Sequence, residues 1–370
     1  MRVLVTGGAG FIGSHVVDAL VREGHAVRLL DNFEPQVHGD RRPDYLNPKA
    51  EYVDGDVRDR TIMRRALREI EVVFHEAALV GVGQSMYDIE RYVSTNVLGT
   101  AILLDVLVND RIPLNKLIVA SSMSVYGEGQ YGCAGCGPIA PSPREEAQLR
   151  SHAWEMRCPA CGRPAQPAPT PEAKPLMPTS VYAVAKRDQE ELCLSVGRSY
   201  RLPTVALRYF NVYGSRQALS NPYTGVAAIF SARIKHHHRP LIFEDGNQTR
   251  DFIHVRDIVQ ANLLVMRDPR ADYQVFNVGT GRPVPIAQVA KRLAALYHVA
   301  VEPEMTLKYR AGDIRHCYAD VSALSALGFR PSVAFDEGLR ELVAWGAHVS
   351  AEDRVEQAAQ ELSARGLTQG

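Results

Sequence analysis

A tyrosine and a lysine four residues apart are the first side chains in this sequence whose types and spacing suggest chemistry. In Tyr182-Ala-Val-Ala-Lys186 the two lie on one face of a predicted helix, which Thr179 or Ser180 can cap. An ammonium close to a phenol lowers the phenol's pKa from about 10 toward neutrality and makes a usable base. The same spacing also occurs on solvated helix faces. The pair therefore predicts acid/base chemistry only where other parts of a site accompany it.

Hydroxyl groups lie upstream of this pair, at the end of a predicted strand. The strand spans about Lys116 to Ser121, and the residues that follow include Ser122 and Ser124. Ligands of open α/β sheets bind at the carboxyl ends of strands. This serine-rich strand end therefore adds hydrogen-bonding groups to the tyrosine and the lysine.

A glycine-rich turn follows the first predicted strand and opens the first predicted helix. Its first glycine permits a tight turn, the next lets the backbone approach a pyrophosphate, and the last allows close helix packing. The phosphates would rest on the helix N-terminus. At the start of the chain this pattern predicts a dinucleotide site, and its residues are Thr6-Gly7-Gly8-Ala9-Gly10-Phe11-Ile12-Gly13.

A carboxylate at the end of the second predicted strand fits the same site. Asp31 would accept hydrogen bonds from the adenine-ribose hydroxyls and repel a 2′-phosphate, which favours NAD over NADP. Arg28 is close in sequence and is an alternative that would favour the phosphate. Asp56 fits an adenine contact or an ordinary turn. The predicted cofactor contacts are Gly7, Gly10, Phe11, Ile12, Gly13, Asp31, Asn32, Asp56, Val57, Ala77, Ala78, Asn96, Tyr182 and Lys186.

The elements that position these residues alternate between strand and helix. Short β-branched runs recur with helical stretches between them for about two hundred residues, as in a doubly wound parallel sheet. The predicted fold is therefore α/β and Rossmann-type. Between Gly127 and Thr179 the pattern breaks, with ten prolines, six glycines and four cysteines but no periodic apolar face. This segment is interpreted as an insertion stabilised by something other than a hydrophobic core.

The glycine turn, the serine-rich strand end and the tyrosine–lysine pair together resemble the extended short-chain dehydrogenase/reductase family of nucleotide-sugar epimerases and dehydratases. The resemblance runs from Met1 to about Trp345, the insertion excepted. It implies that Tyr182 is the acid/base, that Lys186 holds the nicotinamide ribose, and that Ser122 hydrogen-bonds the reacting sugar oxygen. The implied substrate contacts are Ser85, Ser122, Ser124, and the diphosphate-binding Asn211, Arg250 and Arg310.

The residues beside Ser122 limit the reactions that this resemblance allows. Dehydrating or decarboxylating members need an extra acid or base, often at the position of Ser124, with Asp also common at Met123 in 4,6-dehydratases; 3,5-epimerising relatives carry a cysteine at Met123. Both positions are non-acidic here. What remains is a 4-epimerase, in which tightly held NAD is regenerated in each turnover.

The sequence limits the identity of the sugar less than it limits the type of reaction. Val80 stands where similar UDP-galactose 4-epimerases have a lysine. Sequences similar to dTDP-L-rhamnose 4-epimerases carry a cysteine-pair insertion at the same place, so conversion of dTDP-L-rhamnose to dTDP-6-deoxy-L-talose is the first expectation. Epimerisation of a UDP-hexose or UDP-uronate is the second, and a net 4-keto-sugar oxidoreductase the third. A cofactor-sensing regulator would ordinarily lack Tyr182 or Lys186.

Four of the six cysteines form two Cys-x-x-Cys pairs, each followed by glycine, as in zinc knuckles. They predict a structural four-thiolate zinc site in a zinc-ribbon-like insertion. Two disulfides are the alternative, and His152 is an alternative ligand. Cys193 and Cys317 are expected to be buried structural thiols. The predicted metal ligands are Cys133, Cys136, Cys158 and Cys161.

Composition excludes several other classes of protein. Lys plus Arg and Asp plus Glu number 42 each, so no net charge attracts nucleic acid or an anionic membrane. No uninterrupted apolar run approaches 18 residues. The protein is expected to be a cytoplasmic enzyme. It is also expected to form a homodimer. The predicted divisions are an NAD-binding domain at 1–212 and 247–275, the insertion at 130–177, a nucleotide-sugar lobe at 213–246 and 276–350, and a tail at 351–370.

Overall fold

The computed structural model of the chain describes residues 1–39, 41–310 and 312–369. Its strands are β1 (Arg2–Thr6), β2 (Ala26–Asp31), β3 (Glu51–Asp54), β4 (Val72–His75), β5 (Lys116–Ser122), β6 (Gln130–Cys133), β7 (Gly137–Ile139), β8 (Gln166–Ala168), β9 (Thr204–Tyr209), β10 (Asn211–Tyr213), β11 (Leu241–Ile242), β12 (Thr249–His254), β13 (Val275–Val278), β14 (Pro283–Pro285), β15 (Glu304–Met305), β16 (Tyr309–Arg310), β17 (His316–Cys317) and β18 (Thr368–Gln369).

The α-helices are α1 (Phe11–Arg22), α2 (Pro35–His38), α3 (Arg60–Ala66), α4 (Val82–Ser85), α5 (Ile89–Tyr92), α6 (Gly99–Asn109), α7 (Glu146–Arg150), α8 (Val181–Tyr200), α9 (Val226–Lys235), α10 (Val255–Arg267), α11 (Ile286–Leu296), α12 (Ser322–Ala326), α13 (Phe335–His348) and α14 (Val355–Ala364). A π-helix at Val93–Leu98 joins α5 to α6, and 3₁₀ turns lie at Met123–Tyr126 and Pro269–Ala271.

Seven parallel strands form the central sheet, in the order β13-β9-β5-β4-β1-β2-β3. Strands β4, β5 and β9 are buried along their whole length, as parallel strands covered on both faces must be. Helices α1 and α10 cover one face, and α3, α6 and α8 cover the other. The predicted doubly wound parallel sheet is confirmed. The carboxyl ends of β1, β2, β4 and β5 meet at one edge, where the predicted site residues lie.

A smaller lobe follows the sheet in sequence. Strands β10, β12, β14 and β17 form a mixed sheet, and α9, α11 and α13 pack on it around an apolar cluster of their own. Of these elements, β14, β17, α9, α11 and α13 lie in the ranges predicted for the sugar-binding lobe, whereas β12 and most of β10 lie in the ranges predicted for the NAD-binding domain. Strand β13 begins at the predicted boundary at 275 and forms the edge of the large sheet.

The insertion folds as a three-stranded antiparallel sheet of β7, β6 and β8 with the short helix α7. Its own apolar core is small, consisting of Tyr131, Met156 and Ala165. A second cluster joins Leu149 and Trp154 of the insertion to Tyr309 of the main body. The insertion therefore has the small hydrophobic core that its sequence predicts.

The described part of the C-terminal segment contains helix α14 and strand β18 and packs on the rest of the fold. Helix α14 packs over the substrate side, and Glu361 on it accepts hydrogen bonds from the hydroxyls of Tyr87 and Tyr223, each at 2.9 Å. Strand β18 pairs with β16, with Thr368 opposite Arg310. The tail expected here thus contacts the predicted site.

One helical stretch, Ile89–Asn109, has the length and composition of a membrane span, with a mean hydropathy of 1.3. Leu103 and Leu107 on this stretch belong to the core beneath the sheet. A core helix of a globular domain meets the same two criteria, so this stretch is explained by its packing.

Candidate active site

The tyrosine, lysine and serine predicted to do chemistry meet at the junction of α8 and β5. Ser180 caps α8 by accepting a hydrogen bond from the Ala183 N–H at 3.1 Å, which places Tyr182 in the first turn. Lys186 follows one turn later and donates from Nζ to the carbonyl oxygen of Ala120 at 2.8 Å. Ser122 ends β5 and lines the same cavity as Tyr182, and its Oγ accepts hydrogen bonds from the N–H and the hydroxyl of Ser124, at 3.2 and 2.9 Å.

Burial governs the ionisation of this group. It raises the pKa of Tyr182, and the effect of the Ser122 hydroxyl offsets the rise only in part. It also lowers the pKa of Lys186 to about 8, against the opposing effect of the Glu76 carboxylate. The expectation that the lysine brings the phenol pKa toward neutrality is therefore corrected. The reason is that desolvation of the buried phenol is the largest effect on its pKa.

Glu76 is a site residue that sequence reasoning missed. It follows β4 directly and lines the cavity that also contains Lys186. Its carboxylate accepts a hydrogen bond from the Tyr209 hydroxyl at 2.8 Å, which in turn accepts one from Asn262 at 2.7 Å. Burial raises the pKa of Glu76 to about 7. The sequence did contain a signal for this residue, because its carboxylate immediately precedes Ala77, a predicted cofactor contact.

The glycine turn leaves room only for backbone. Gly7 has φ +67°, and a Cβ there would lie 2.8 Å from the Cα of Ala77. A Cβ on Gly13 would lie 2.2 Å from the carbonyl oxygen of Gly7. Gly10 is the N-cap of α1 and supplies no side chain to the first turn. The N–H groups of that turn are thus accessible to an anion, and the cradle fits a pyrophosphate.

Asp31 takes the position expected for the ribose carboxylate. It lines the cavity at the end of β2 and accepts hydrogen bonds from the N–H groups of Ala9 and Phe33, both at 2.9 Å. Arg28 pairs with Glu51 at 2.8 Å and is absent from the described cavity wall. The alternative in which Arg28 receives a 2′-phosphate is not supported by this geometry.

Asn32 and Asp56 lie next to each other at the same end of the cavity. The Asn32 amide donates to Asp56 Oδ2 at 3.1 Å, and Arg58 pairs with the same carboxylate at 2.7 Å. The hydrogen bond from Arg58 is the main cause that lowers the pKa of Asp56. Asp56 therefore stays ionised and presents a fixed acceptor beside Val57.

A single elongated cavity of about 430 Å³ joins the glycine turn to Tyr182. Residues beyond the predicted set also line it, among them Gln36, His38, Arg91 and Tyr223. The predicted residues that line it are Gly7, Gly10, Phe11, Ile12, Gly13, Asp31, Asn32, Asp56, Val57, Ala77, Ala78, Ser122, Ser124, Tyr182, Lys186 and Asn211.

Ser85 and Asn96 lie behind this cavity wall instead of in it. Ser85 is fully buried, and its Oγ accepts from the Tyr182 N–H at 3.0 Å and donates to the Val82 carbonyl at 2.7 Å. The side chain of Asn96 bonds both the N–H and the carbonyl of Leu79, at 2.8 and 3.1 Å. Both side chains thus support the adjoining backbone, and the ligand contacts predicted for them stay predictions.

The two arginines predicted to grip a diphosphate are not among the residues that line the described cavity. Arg250 donates to the carbonyl oxygens of Ile314 and Arg315, at 2.7 and 3.0 Å. Arg310 pairs with Asp313 at 2.8 Å. The contact of these two side chains with a ligand therefore stays a prediction.

Asn211, the third predicted diphosphate contact, does line the cavity. Among the described residues its buried Oδ1 has no hydrogen-bond partner. A buried carbonyl oxygen without a partner is costly, so this atom indicates a place for a donor from a ligand or water.

The four paired cysteines gather at one end of the insertion. Their Sγ atoms lie within 4.8 Å of one another, and all four thiols are free. The Sγ atoms of Cys133 and Cys161 are 3.5 Å apart, well beyond the roughly 2.05 Å of a disulfide bond. The geometry therefore does not support the alternative in which the four cysteines form two disulfides. A set of four thiolates at these separations fits a tetrahedral Zn²⁺ site.

His152 does not join this group. Its ring stacks on Trp154 with centroids 5.1 Å apart, and the four-residue cluster consists of cysteines alone. Arg163 lies beside the sulfur atoms and donates from Nε to Cys161 Sγ at 3.4 Å, which lowers the pKa of that thiol to about 6.

A doubly wound sheet, an open glycine cradle at a helix N-terminus and a buried tyrosine–lysine–serine group define an enzyme of the dinucleotide-dependent dehydrogenase/reductase class. The NAD dependent epimerase/dehydratase family matches residues 3–147 and 158–279, and the chain belongs to this family. The predicted resemblance is thus confirmed.

Individual relatives cover nearly the whole chain. The dTDP-L-rhamnose 4-epimerase of Burkholderia thailandensis is 36% identical over 349 residues, 93% of this chain and 94% of that protein. The structure of UDP-glucose 4-epimerase from Thermotoga maritima with UDP-glucose has a TM-score of 0.75 and 32% identity, covering 93% of this chain and 98% of that one. UDP-glucuronic acid 4-epimerase from Bacillus cereus, in complex with UDP-glucuronic acid and NAD, has a TM-score of 0.76 and 26% identity, covering 95% and 100%.

Proposed function

We propose that this chain is an NAD-dependent nucleotide-sugar 4-epimerase. The observation that carries the proposal is that Tyr182, Lys186 and Ser122 meet at one end of the cavity whose other end is the glycine turn. A ligand bound along this cavity would bring a dinucleotide and a sugar hydroxyl to the same phenol. The related 4-epimerases named above support the same reaction type.

The glycine turn, Asp31 and Asp56 would hold NAD, with the pyrophosphate on the N-terminus of α1 and the adenosine beside the two carboxylates. Bound NAD would supply a hydride acceptor and then a hydride donor for C4 of the sugar, so the cycle needs no external oxidant. Lys186 would hold the nicotinamide ribose from the floor of the cavity.

The protein's own part in the reaction is to move one proton. Tyr182 as phenolate takes the proton of the C4 hydroxyl as C4 loses its hydride, and the phenol returns this proton when the hydride comes back. Ser122, which lines the same cavity, would hydrogen-bond the same oxygen and, with the tyrosine, would stabilise its changing charge. Between the two steps the 4-keto sugar must rotate, so that its opposite face receives the hydride.

The side chains beside the phenol favour epimerisation over elimination. Met123 and Ser124 line the cavity next to Ser122, and neither is an acid. Loss of water would need a proton donor for the leaving hydroxyl as well as the tyrosine. Glu76, the acid in the cavity wall near Lys186, is bound to Tyr209 on the cofactor side.

The first proposed substrate is dTDP-L-rhamnose, which would become dTDP-6-deoxy-L-talose. The whole-length similarity to the Burkholderia enzyme supports it. A UDP-hexose or UDP-uronate is the second proposal, supported by the similarity to structures holding UDP-glucose and UDP-glucuronic acid. A net oxidoreductase acting on the same 4-keto sugars is the third.

Incubation of the purified protein with dTDP- and UDP-sugars, followed by separation of the C4 epimers, tests both reaction and substrate. We expect one substrate to give an epimer of unchanged mass without added reductant. A product lighter by one water would contradict epimerisation, and a product two hydrogens lighter or heavier would favour the oxidoreductase.

We further propose that Cys133, Cys136, Cys158 and Cys161 hold one structural Zn²⁺. The clustered free thiols support it, as does the small core of the insertion, which leaves this segment short of apolar burial. Four thiolates close the coordination sphere, so no position is left for water or substrate.

A homodimer is proposed from an exposed apolar surface. Ile89, Val93 and Leu98 on the helical stretch Ile89–Asn109, and Val184 on the adjoining α8, are exposed large apolar side chains. Burial of this face against a second copy would remove it from water. Sedimentation of the wild type and of Ile89→Glu tests this, with a dimer expected only for the wild type.

A further inference from the structure

A fully buried arginine joins the insertion to the substrate side of the molecule. Arg315 has no solvent exposure, and its guanidinium contacts three carboxylates. Glu155 of the insertion lies at 2.5 Å, while Glu244 and Asp245, in the loop after β11, lie at 2.9 and 2.6 Å. An arginine in a protein interior needs such partners, because an unpaired buried charge is strongly destabilising. The three carboxylates therefore fix the position of Arg315.

A second arginine reaches the same place from the insertion. Arg144 pairs with Glu244 at 2.7 Å, and both side chains are almost fully buried. Its guanidinium also donates to the carbonyl oxygen of Asp313 at 3.2 Å. The insertion thus contributes one cation and one anion to this junction, and each binds a different part of the chain outside the insertion.

The backbone next to Arg315 is held in the same way. Glu128, at the entry to the insertion, is buried and accepts from the N–H groups of Arg315 and His316, both at 2.8 Å. Glu155 also pairs with the His316 ring at 3.1 Å. The path of residues 315–316 is therefore set by two carboxylates from the insertion and its entry.

These contacts matter because the described residues 309–310 and 312–316 carry or support both predicted diphosphate arginines. Arg310 lies on β16 next to Tyr309, which packs on Leu149 and Trp154 of the insertion. Arg250 rests on the carbonyl oxygens of residues 314 and 315. A shift of this segment would move both guanidinium groups together.

We propose that the insertion positions the arginines that grip the diphosphate of the nucleotide sugar, and that Glu155 and Arg144 are the positioning residues. This rests on the proposed function for the role of Arg250 and Arg310. Bidentate guanidinium contacts depend on geometry, so a small displacement of the segment weakens the grip. The nucleoside and the sugar would be held by other groups.

Glu155→Gln tests the proposal, because the Glu155 side chain is more than half exposed and the change keeps its size. Glu146→Gln is the matched control, since Glu146 lies in the same insertion and pairs only with the exposed Arg150. The measurement is calorimetric affinity for nucleoside diphosphate and nucleoside monophosphate, with NAD affinity and zinc content alongside. We expect Glu155→Gln to lose about fivefold or more in diphosphate affinity, less than about twofold in monophosphate affinity, and nothing in NAD affinity.

Turnover provides a second readout. KM for the nucleotide sugar should rise in Glu155→Gln while kcat stays near that of Glu146→Gln, because the reacting groups are not displaced. Equal losses for the monophosphate and the diphosphate, or unchanged diphosphate affinity, would overturn the proposal. Arg144→Lys, which keeps the charge but not the paired geometry, should repeat the selective loss. Diphosphate affinity is measured without turnover. The binding result can therefore be interpreted even if the protein is not an epimerase.

Discussion

The backbone N–H of Tyr182 donates to the hydroxyl of Ser85 at 3.0 Å, and the same hydroxyl donates to the carbonyl of Val82. The first turn of α8 is thereby tied to α4 behind the cavity wall. Ser85→Ala leaves a buried N–H without its partner and should cost about 1–3 kcal/mol of stability. Because the phenol loses support, we expect kcat to fall more than KM rises. A change in KM alone would instead support a direct contact between Ser85 and the sugar, as predicted from the sequence. Ser151→Ala, at an exposed serine, is the control.

Replacement of the phenol separates chemistry from cofactor binding. Tyr182→Phe removes the group that carries the proton but leaves the glycine turn and Asp31 intact, so turnover should fall by at least about a hundredfold with NAD affinity nearly unchanged. Epimer formation and NAD titration are measured on the same preparation. Near-native epimerisation by this variant would refute the mechanism.

The activity should show a pH optimum bounded by two buried groups. Tyr182, whose pKa burial raises, becomes a better base as pH rises, whereas Lys186, whose pKa is lowered to about 8, loses its positive charge above that pH. Glu76 holds the Lys186 pKa up, so Glu76→Gln should move the alkaline limb of kcat/KM to lower pH. An alkaline limb that stays in place would show that Lys186 does not set it.

Cofactor choice should depend on Asp31. Asp31→Ala removes the acceptor for the ribose hydroxyls and the repulsion of a 2′-phosphate, so affinity for NAD should fall by about tenfold or more and affinity for NADP should fall less. Titration of both dinucleotides measures this. Arg28→Ala is the matched control, since Arg28 pairs with Glu51 and should leave the ratio unchanged.

Metal analysis should find about one zinc per chain, located away from the reaction centre. Cys158→Ser should lose the metal and loosen the insertion, while NAD binding is retained. Cys193→Ser, at a buried cysteine outside the cluster, should keep the metal. A metal-free wild type with two disulfides after reducing expression would contradict the assignment.

The sequence by itself determined the parts of this protein that are local in the chain. The alternation of strands and helices defines the parallel sheet, because each element requires its own hydrophobic period. The glycine turn is equally local, since only glycine fits beside Ala77 and tolerates the φ of Gly7. Tyr182 and Lys186 share a helix face, so their proximity follows from spacing alone. Two Cys-x-x-Cys pairs likewise indicate where four sulfur atoms can gather.

Tertiary structure decided what depends on residues far apart in the chain. Whether Ser85 faces a ligand or the backbone of Tyr182 depends on how α4 meets α8, across 97 residues of sequence. The direction in which the Tyr182 pKa shifts depends on burial, and the spacing of residues in the sequence does not show burial. The partners of Arg315 come from the insertion and from the loop after β11, and only the folded chain brings their charges together. Desolvation and long-range pairing are properties of the packed molecule, so they appear only when the chain is folded.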